Sequence, residues 1–252
     1  MVTIFASGRW AHIEWGDETI YKQIADVCTK GVRSVALIPD EYNSLITEKR
    51  FTNGRDDQPL CIRLYNNAFH ERLGGAHMLR LNSLSWDDSH AEQLAKVIGT
   101  RIFVNLKKIK LFTNHFSGSG VSAITSSIST LTVPNLEMLL FGENWMGDTG
   151  ARSLAVMLAS GGTPKLRHLD IRKSQISNEG LRAVADAITS HTTPALEKVT
   201  ARKNLDQDVD QDGEPLVIQR ALDTLLEWRA LKVDVQRVDL EGLGGEEGRL
   251  EC

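Results

Sequence analysis

Apolar residues recur along residues 76–205 in a pattern that repeats every 30 positions without a gap. Each repeat carries apolar residues at the first, fourth and sixth positions of a segment that follows the pattern LxxLxL. The five segments are Ala76-Leu79-Leu81, Leu106-Ile109-Leu111, Leu136-Leu139-Phe141, Leu166-Leu169-Ile171 and Leu196-Val199-Ala201. Such alternation is typical of a strand with one buried face. We therefore predict equivalent strands at 79–81, 109–111, 139–141, 169–171 and 199–201.

The second half of each repeat has the apolar spacing of an amphipathic helix. Apolar residues recur at i, i+3 and i+7, as in Ala151, Leu154 and Leu158, which places them on one helical face. This spacing predicts helices near 89–99, 119–131, 149–160 and 179–190. A proline lies shortly before each of the last three strands, at Pro134, Pro164 and Pro194. Because a proline biases the preceding residue towards extended structure, the repeating unit is strand, loop, helix, loop.

A unit of this size cannot bury its own apolar face, so the repeats must stack on one another. With the asparagines Asn114 and Asn144, the consensus becomes LxxLxLxxNx followed by an apolar residue. This pattern resembles the leucine-rich repeats of the ribonuclease-inhibitor type, a family to which the Ran GTPase-activating protein and the tropomodulin actin cap are similar. The resemblance implies an α/β fold, a solenoid with a curved parallel sheet inside and helices on the convex side.

The sequence predicts one continuous structural domain with three parts. Residues 1–75 form an N-terminal cap with one or two degenerate repeats, residues 76–241 carry the leucine-rich repeats, and residues 242–252 form a flexible, glycine-rich tail. An acidic insertion at about 206–214 interrupts the regular period. Irregular units at both ends are expected, because the outermost repeats of a solenoid have a neighbour on one side only.

Several irregular segments are predicted outside the regular repeats. In the cap, we predict a helix from Asp17 to Gly31, followed by a strand at 32–37. Further on, Thr52–Gln58 has the composition of a loop, and the apolar run Pro59–Tyr65 has that of a strand. Near the C-terminus, apolar residues in Val235–Leu240 predict a last strand.

Composition and charge change this picture little. With 41% hydrophobic residues, 25% charged residues and a net charge of −4, the 252-residue chain suits one elongated domain and argues neither for nor against a nucleic-acid partner. No run approaches the roughly 18 apolar residues of a membrane span, so we predict no membrane insertion. Three cysteines without CxxC spacing predict free thiols in a reducing compartment. We expect an intracellular, cytoplasmic protein, or an organellar one whose transit peptide has been removed.

The sequence contains no motif for catalysis or for a cofactor. The phosphate-binding patterns GxxxxGK[ST] and GxGxxG and the nucleophile elbow GxSxG are absent. The histidines are scattered among different repeats at no metal-ligand spacing. We therefore expect no enzymatic activity and no cofactor.

One acidic segment, Asp208-x-Asp210-x-Asp212 followed by Gly213, has the first half of a calcium-binding loop. The twelfth position of this loop is Gln219, where a bidentate Glu would complete a calcium site. We interpret the segment as a solvated acidic loop. Weak cation binding by Asp208, Asp210 and Asp212 is the alternative.

The third, fifth, seventh and eighth positions of each LxxLxLxx segment should face the concave side of the sheet, and we call these twenty positions the concave face. Eight of them are Lys or Arg and two are acidic, in a chain whose net charge is negative. An apolar patch formed by Phe112, Met138 and Leu140 lies within this basic surface. Trp145, in the loop after the third strand, should point outwards, either to contact a partner or to pack on the neighbouring loop.

These features predict a non-enzymatic protein–protein interaction module, a scaffold or adaptor subunit that holds an acidic protein surface against the concave face. Ten residues are predicted to contact the partner: Lys108, Lys110, Phe112, Met138, Leu140, Trp145, His168, Arg172, Lys198 and Arg202. The resemblance to the Ran GTPase-activating protein leaves a regulator of a nucleotide-switch enzyme as an alternative. RNA or another polyanion is a second alternative, disfavoured because only Phe112 and His168 could stack on bases.

Overall fold

The computed structural model describes residues 2–6, 9–13, 35–49, 54–205 and 209–242. At the N-terminus, β1 (Val2–Ala6) and β2 (Arg9–Ile13) form an antiparallel pair. Two helices follow, α1 (Pro39–Thr47) and α2 (Gly54–Ala68), and α2 continues into a π-helical turn at Phe69–Leu73. These elements precede the first regular repeat.

The predicted repeats form one parallel sheet of five strands in chain order. The strands are β3 (Met78–Arg80), β4 (Lys108–Lys110), β5 (Met138–Leu140), β6 (His168–Asp170) and β7 (Lys198–Thr200). Neighbouring strands pair in the same register throughout, which aligns the central residues Leu79, Ile109, Leu139, Leu169 and Val199. Each strand lies within one residue of its predicted position, so the predicted α/β fold of repeating strand and helix units is confirmed.

One helix follows each of the first four strands of this sheet. These helices are α3 (Asp88–Gly99), α4 (Gly118–Ser127), α5 (Gly147–Ala159) and α6 (Asn178–Ala187). Consecutive helices pack against each other, and their apolar faces join the strands in one hydrophobic core. Ile109, Leu139 and Leu169 are fully buried in this core. Because burying a Leu or Ile stabilises the fold by roughly 1.5–3 kcal/mol, these positions accept different apolar residues but not a charge.

Helices α4 and α6 end at Ser127 and Ala187, earlier than the predicted ends at 131 and 190. In both, a threonine five residues beyond the helix donates its hydroxyl to the last helical carbonyl. Thr132 Oγ1 lies 2.7 Å from the oxygen of Ser127, and Thr192 Oγ1 lies 2.8 Å from the oxygen of Ala187. The last carbonyls of a helix need such partners, and a hydroxyl supplies one without a further helical turn.

Buried asparagine side chains hold the loops that follow the strands. Asn114 Nδ2 donates to the carbonyl oxygens of Leu81 and Leu111. Its Oδ1 accepts from the N–H groups of Leu84 and Trp86 in the preceding repeat. Buried backbone groups need hydrogen-bond partners, and strand pairing supplies none for these loops. The asparagine supplies them and thereby links two consecutive repeats.

Asn144 and Asn204 occupy the same position in later repeats and bridge the loops in the same way. Ser174 occupies the position between them and donates to the carbonyl oxygen of Arg172 in its own loop, at 3.0 Å. Asn204 therefore extends the predicted asparagine pattern by one more repeat. The serine side chain is too short to reach the preceding repeat. The side-chain bridge between consecutive repeats is therefore absent at the loop of Ser174.

The predicted loop at Thr52–Gln58 and the predicted strand at Pro59–Tyr65 are both wrong where the structure describes them, because α2 covers these residues. Cys61 and Tyr65 lie four positions apart and are both buried, which is a helical spacing. The ring of Tyr65 stacks on Tyr42 of α1 with the centroids 3.7 Å apart. Packing between the two helices therefore overrides the strand-like composition of this segment.

The predicted last strand at Val235–Leu240 is also wrong, because a helix, α7, spans Leu216–Gly242. Its residues Ile218, Leu222 and Leu225 are buried on one face, and α7 packs against α6 and β7. No proline or glycine interrupts the chain between the two ends of this helix. Neither α7 nor any other helix in the described segments combines the length and apolar composition that a membrane span needs.

Three predicted features lie wholly or partly outside the described residues. The helix from Asp17 to Gly31 lies outside them entirely, and so does the tail beyond residue 242. Of the strand predicted at 32–37, only residues 35–37 are described, and they form no strand. The helix at 17–31, the strand at 32–34 and the tail beyond residue 242 stay predictions. The strand predicted at 35–37 is wrong.

A carboxylate closes the exposed edge of β7, the last strand of the sheet. In the repeat before it, the N–H of Ile171 donates to the carbonyl oxygen of Thr200 at 2.8 Å. The equivalent N–H of Ala201 donates to Glu214 Oε2, also at 2.8 Å. Glu214, from the acidic insertion, therefore takes the place of the carbonyl that a further strand would supply.

Replacing Leu139 with Asp should unfold the central repeats. The carboxylate would enter the apolar stack between β4 and β6 without a partner, and its desolvation would cost several kcal/mol. Circular dichroism and urea unfolding provide the measurement, and Leu139→Met, which conserves volume and polarity, is the control. A folded Leu139→Asp protein with the stability of the wild type would contradict this packing.

Replacing Glu214 with Ala should lower the free energy of unfolding by about 1–3 kcal/mol, because the N–H of Ala201 loses its acceptor. Glu214→Gln keeps an acceptor oxygen and should retain most of the stability. Urea unfolding measures the total effect, and hydrogen exchange at the Ala201 amide locates it. Equal stability and equal exchange in all three proteins would show that the carboxylate does not close the edge.

Candidate functional site

Two rows of side chains cross the concave face of the sheet. The first row, directly before the buried central residues, consists of Met78, Lys108, Met138, His168 and Lys198. The second row, directly after them, consists of Arg80, Lys110, Leu140, Asp170 and Thr200. The structure therefore brings six of the ten predicted contact residues into two adjacent rows: Lys108, Lys110, Met138, Leu140, His168 and Lys198.

Beyond the second row, Gly142 leaves a gap that its neighbours fill. A Cβ at this position would lie 2.7 Å from the Phe112 ring and 2.8 Å from Asp170 Oδ1, too close for another residue without rearrangement. Phe112 and Asp170 therefore approach each other over Gly142. Arg172 lies on this pair, with its Cζ 5.1 Å from the centroid of the Phe112 ring and its Nε 3.4 Å from Asp170 Oδ2. We call these four residues the Arg172 cluster.

Asp170 is buried, with 3% of its surface exposed. Burial raises the pKa of its carboxyl group, and the nearby charge of Glu214 acts in the same direction. The N–H of Arg172, which donates to Asp170 Oδ1 at 3.1 Å, and the charges of Arg172 and Arg202 oppose this rise. The cations beside Asp170 therefore stabilise a carboxylate that solvent does not reach.

The apolar patch within the concave face is only partly accessible. Leu140 exposes 5% of its surface, so it belongs to the buried part of the second row. Phe112 and Met138 are half-buried. The apolar surface that a partner could contact therefore consists of Met138 and the part of the Phe112 ring that Arg172 leaves uncovered.

The concave face contains both paired and free cations. Lys173 Nζ contacts Glu143 Oε1 at 2.8 Å across two repeats, and this contact lowers the pKa of the Glu143 carboxyl. No described residue forms an ion pair with four of the predicted contact residues, Lys108, Lys110, Lys198 and Arg202. Arg80 and Lys203, two further cations of the concave face, also form no ion pair with a described residue, so six of the eight cations on this face are unpaired within the described fold.

His168 adds a polar side chain to the first row without adding a charge. Burial and the nearby positive charges of Lys198 and Arg172 lower the pKa of His168, so its ring is neutral at pH 7. Its Nε2 lies 3.3 Å from Thr200 Oγ1. The ring therefore interrupts the positive surface between the free lysines.

Trp145 lies away from the sheet, in the loop between β5 and α5, and is 56% exposed. Its ring stacks on His115 of the preceding repeat, with the centroids 4.7 Å apart and the planes at 22°. Trp145 is therefore both exposed and packed on the neighbouring loop, so the two predicted alternatives do not exclude each other. His115 is not among the predicted contact residues. It lies 30 residues before Trp145, at the same position of the preceding repeat, and this spacing in the sequence could have identified it as the neighbour of Trp145.

The acidic insertion is organised around Asp210. Its Oδ1 accepts from the N–H groups of Asp212 and Glu214, each at 2.9 Å, and this turn directs Glu214 towards β7. Asp208 lies outside the described residues. Within the described part of the chain, no group of three or more His, Cys, Asp or Glu side chains is arranged to hold a metal ion. The solvated acidic loop stays the prediction, and cation binding by the three aspartates stays its untested alternative.

Comparison with known proteins identifies the class of fold. A family profile described as Leucine Rich repeat matches residues 163–185, which contain β6 and most of α6. No curated protein sequence matches the chain. Among the 46 matching chains of known structure is one described as leiomodin-1 actin-binding site 2. It aligns with a TM-score of 0.51 and 11% identity over 69% of this chain and 94% of that chain. The fold is therefore an α/β leucine-rich-repeat solenoid.

Replacing Asp170 with Asn should change how stability depends on pH. Because burial raises the pKa of Asp170 above its ordinary value of 3.8, the folded state binds the proton more tightly than the unfolded state. The tighter binding of this proton stabilises the folded state at low pH. This contribution to the free energy of unfolding is lost as the pH rises through the pKa of Asp170 in the folded state. The wild type should therefore lose stability relative to Asp170→Asn as the pH rises from about 3 to about 7.

Urea unfolding of both proteins at a series of pH values provides this measurement. The amide of Asn keeps an acceptor for the N–H of Arg172, so the variant preserves the local fold. A stability difference that stays constant, or that changes in the opposite direction with pH, would contradict the buried position of Asp170.

Proposed function

We propose that this chain is a non-enzymatic protein–protein interaction module that binds an acidic surface of a partner protein through its concave face. In this role it acts as a scaffold or adaptor subunit. The observation that carries the proposal is the set of concave-face cations without an ion pair among the described residues, which includes Lys108, Lys110, Lys198 and Arg202. Lys108 lies beside Met138 in the first row, Lys110 lies two positions before Phe112, and Lys198 and Arg202 lie further along the same face. Charged residues next to an apolar centre are typical of protein interfaces.

The rigidity of the sheet supports this role. The strands that carry the cations are held by register, by the apolar core and by the bridging asparagines, so the binding surface is ordered before a partner arrives. Binding to an ordered surface costs less conformational entropy than binding to a loop that must fold. The structure described as an actin-binding site of leiomodin-1 shares this fold and is, by its description, a protein-binding region.

The helical convex side also supports the ribonuclease-inhibitor-like subtype that the repeat pattern implies. A helix of 10 to 13 residues follows each of the strands β3 to β6. We infer that the repeats are of this subtype, which explains why the sheet, and not the helical layer, offers the continuous open surface.

Reversing the charge at Lys110 and Lys198 together should abolish or strongly slow partner binding. Both side chains lie on the concave face and pair with no described residue, so stability should change by only about 0–1 kcal/mol. Association should slow because the changes reverse the field that steers an acidic partner. Arg172 is not changed in this variant. Its replacement would leave buried Asp170 without its ion pair and could lower stability, so a loss of binding could not be assigned to the surface charge.

The measurement is affinity capture from extracts of the native source, followed by identification of the retained proteins and by association kinetics with them. The double variant Arg182→Glu, Arg220→Glu is the matched control, because it makes the same change in net charge on the exposed faces of α6 and α7. The proposal expects proteins that the wild type and the control retain and that Lys110→Glu, Lys198→Glu loses. Retention by all three proteins would place the binding surface elsewhere.

A further inference from the structure

Arg172 differs from the other cations of the concave face because it contacts both an aromatic ring and a buried carboxylate within the fold. Its side chain starts after β6 and reaches the ring of Phe112, which starts after β4 and itself lies against Gly142 in the intervening repeat. The Cζ atom lies 5.1 Å from the centroid of that ring. Gly142 makes this path possible, because a Cβ there would lie 2.7 Å from the Phe112 ring and would hold the ring away.

Two different contacts orient the guanidinium group. The Cζ of Arg172 lies over the Phe112 ring, 5.1 Å from its centroid, and Asp170 Oδ2 lies 3.4 Å from the buried Nε, an ion pair that is not a hydrogen bond. The side chain remains 31% exposed, whereas that of Asp170 is 4% exposed. No described residue accepts a hydrogen bond from the two terminal nitrogens of Arg172. These nitrogens, with their parallel N–H groups, are therefore the part of the cluster that is free to bind a ligand.

We propose that Arg172 anchors the partner by binding one of its carboxylates through both terminal nitrogens. This inference rests on the proposed function, because it assumes that the concave face is the binding surface. A planar guanidinium matches the two oxygens of a carboxylate, and such paired, charge-assisted hydrogen bonds are stronger than neutral ones. The Phe112 ring and Asp170 restrict the rotamers of Arg172 before binding, so less entropy is lost when the carboxylate arrives.

The surroundings of Arg172 favour a carboxylate over a phosphate group. Asp170 already balances part of the positive charge of the guanidinium, and Glu143 also lies within its electrostatic reach. Because these two carboxylates offset part of the charge of Arg172, the second negative charge of a phosphate gains less extra attraction here than it would from an unpaired guanidinium. Acidic side chains of a polypeptide are therefore the ligand class that this site fits.

The test uses a fluorescein-labelled deca-glutamate peptide with blocked ends, titrated at low ionic strength and followed by anisotropy. Arg172→Lys keeps the positive charge beside Asp170 but removes the planar fork and its contact with Phe112. It should bind the peptide about tenfold more weakly than the wild type. Arg182→Lys makes the same chemical change at an exposed arginine of α6, outside the concave face, and should stay within about twofold.

The outcomes separate this inference from the proposed function. If Arg172→Lys binds as tightly as the wild type, the anchoring role is overturned, while binding of the peptide by both proteins still supports the acidic partner. If the wild type does not bind the peptide, both proposals fall. If decauridylate binds more tightly than the peptide, with a steep loss of affinity as salt rises, the face binds nucleic acid and both proposals are again overturned.

A second measurement on the wild type does not depend on the stability of a variant. Nuclear magnetic resonance of the nitrogen-15-labelled arginine side chains reports directly on the terminal nitrogens. On saturation with the peptide, the signals of Arg172 should shift and their exchange by rotation about the Nε–Cζ and Cζ–Nη bonds should slow. Unchanged Arg172 signals at saturation would overturn the anchoring role.

Discussion

The structure depends on apolar stacking between repeats that keep the same register. A strand of three residues has too few hydrogen bonds and too little buried surface to persist alone, and each helix needs a neighbour to cover its apolar face. Leu79, Ile109, Leu139, Leu169 and Val199 align because the period of the chain stays constant from one repeat to the next. The same register creates the rows on the opposite face of the sheet, so the packing of the core and the layout of the concave face have one cause.

The acidic insertion shows how the end of a solenoid uses charged residues for structure. The repeats end at β7, where a backbone N–H would lack a partner. Asp210 organises a turn that directs Glu214 to this N–H, and α7 covers the apolar side of the last repeat. Asp210, which belongs to the candidate cation loop in the sequence, therefore accepts hydrogen bonds from backbone amides in the described structure.

The concave face contains two kinds of charge that the sequence does not distinguish. Arg172 and Lys173 have anionic partners within the fold, while Lys110 and Lys198 have none among the described residues. For Arg172 the difference depends on Gly142, where the missing side chain leaves room for the Phe112 ring and the Asp170 carboxylate that Arg172 contacts. In the sequence, the concave face has the composition of a uniformly basic surface. In the structure, Arg172 and Lys173 are partly neutralised by carboxylates, and the other cations of this face form no ion pair with a described residue.

The sequence by itself determined the repeating unit, the five strands, the four helices between them and which residues face the concave side, because each follows from local periodicity that recurs at a constant interval. Only the tertiary structure decided that α2 and α7 are helices, since Tyr65 stacks on Tyr42 and since α7 packs on the last repeat. It also decided that Arg172 pairs with Asp170 and that Trp145 stacks on His115. Such contacts depend on which side chains share a space after the repeats stack, and the spacing of apolar residues carries no information about that.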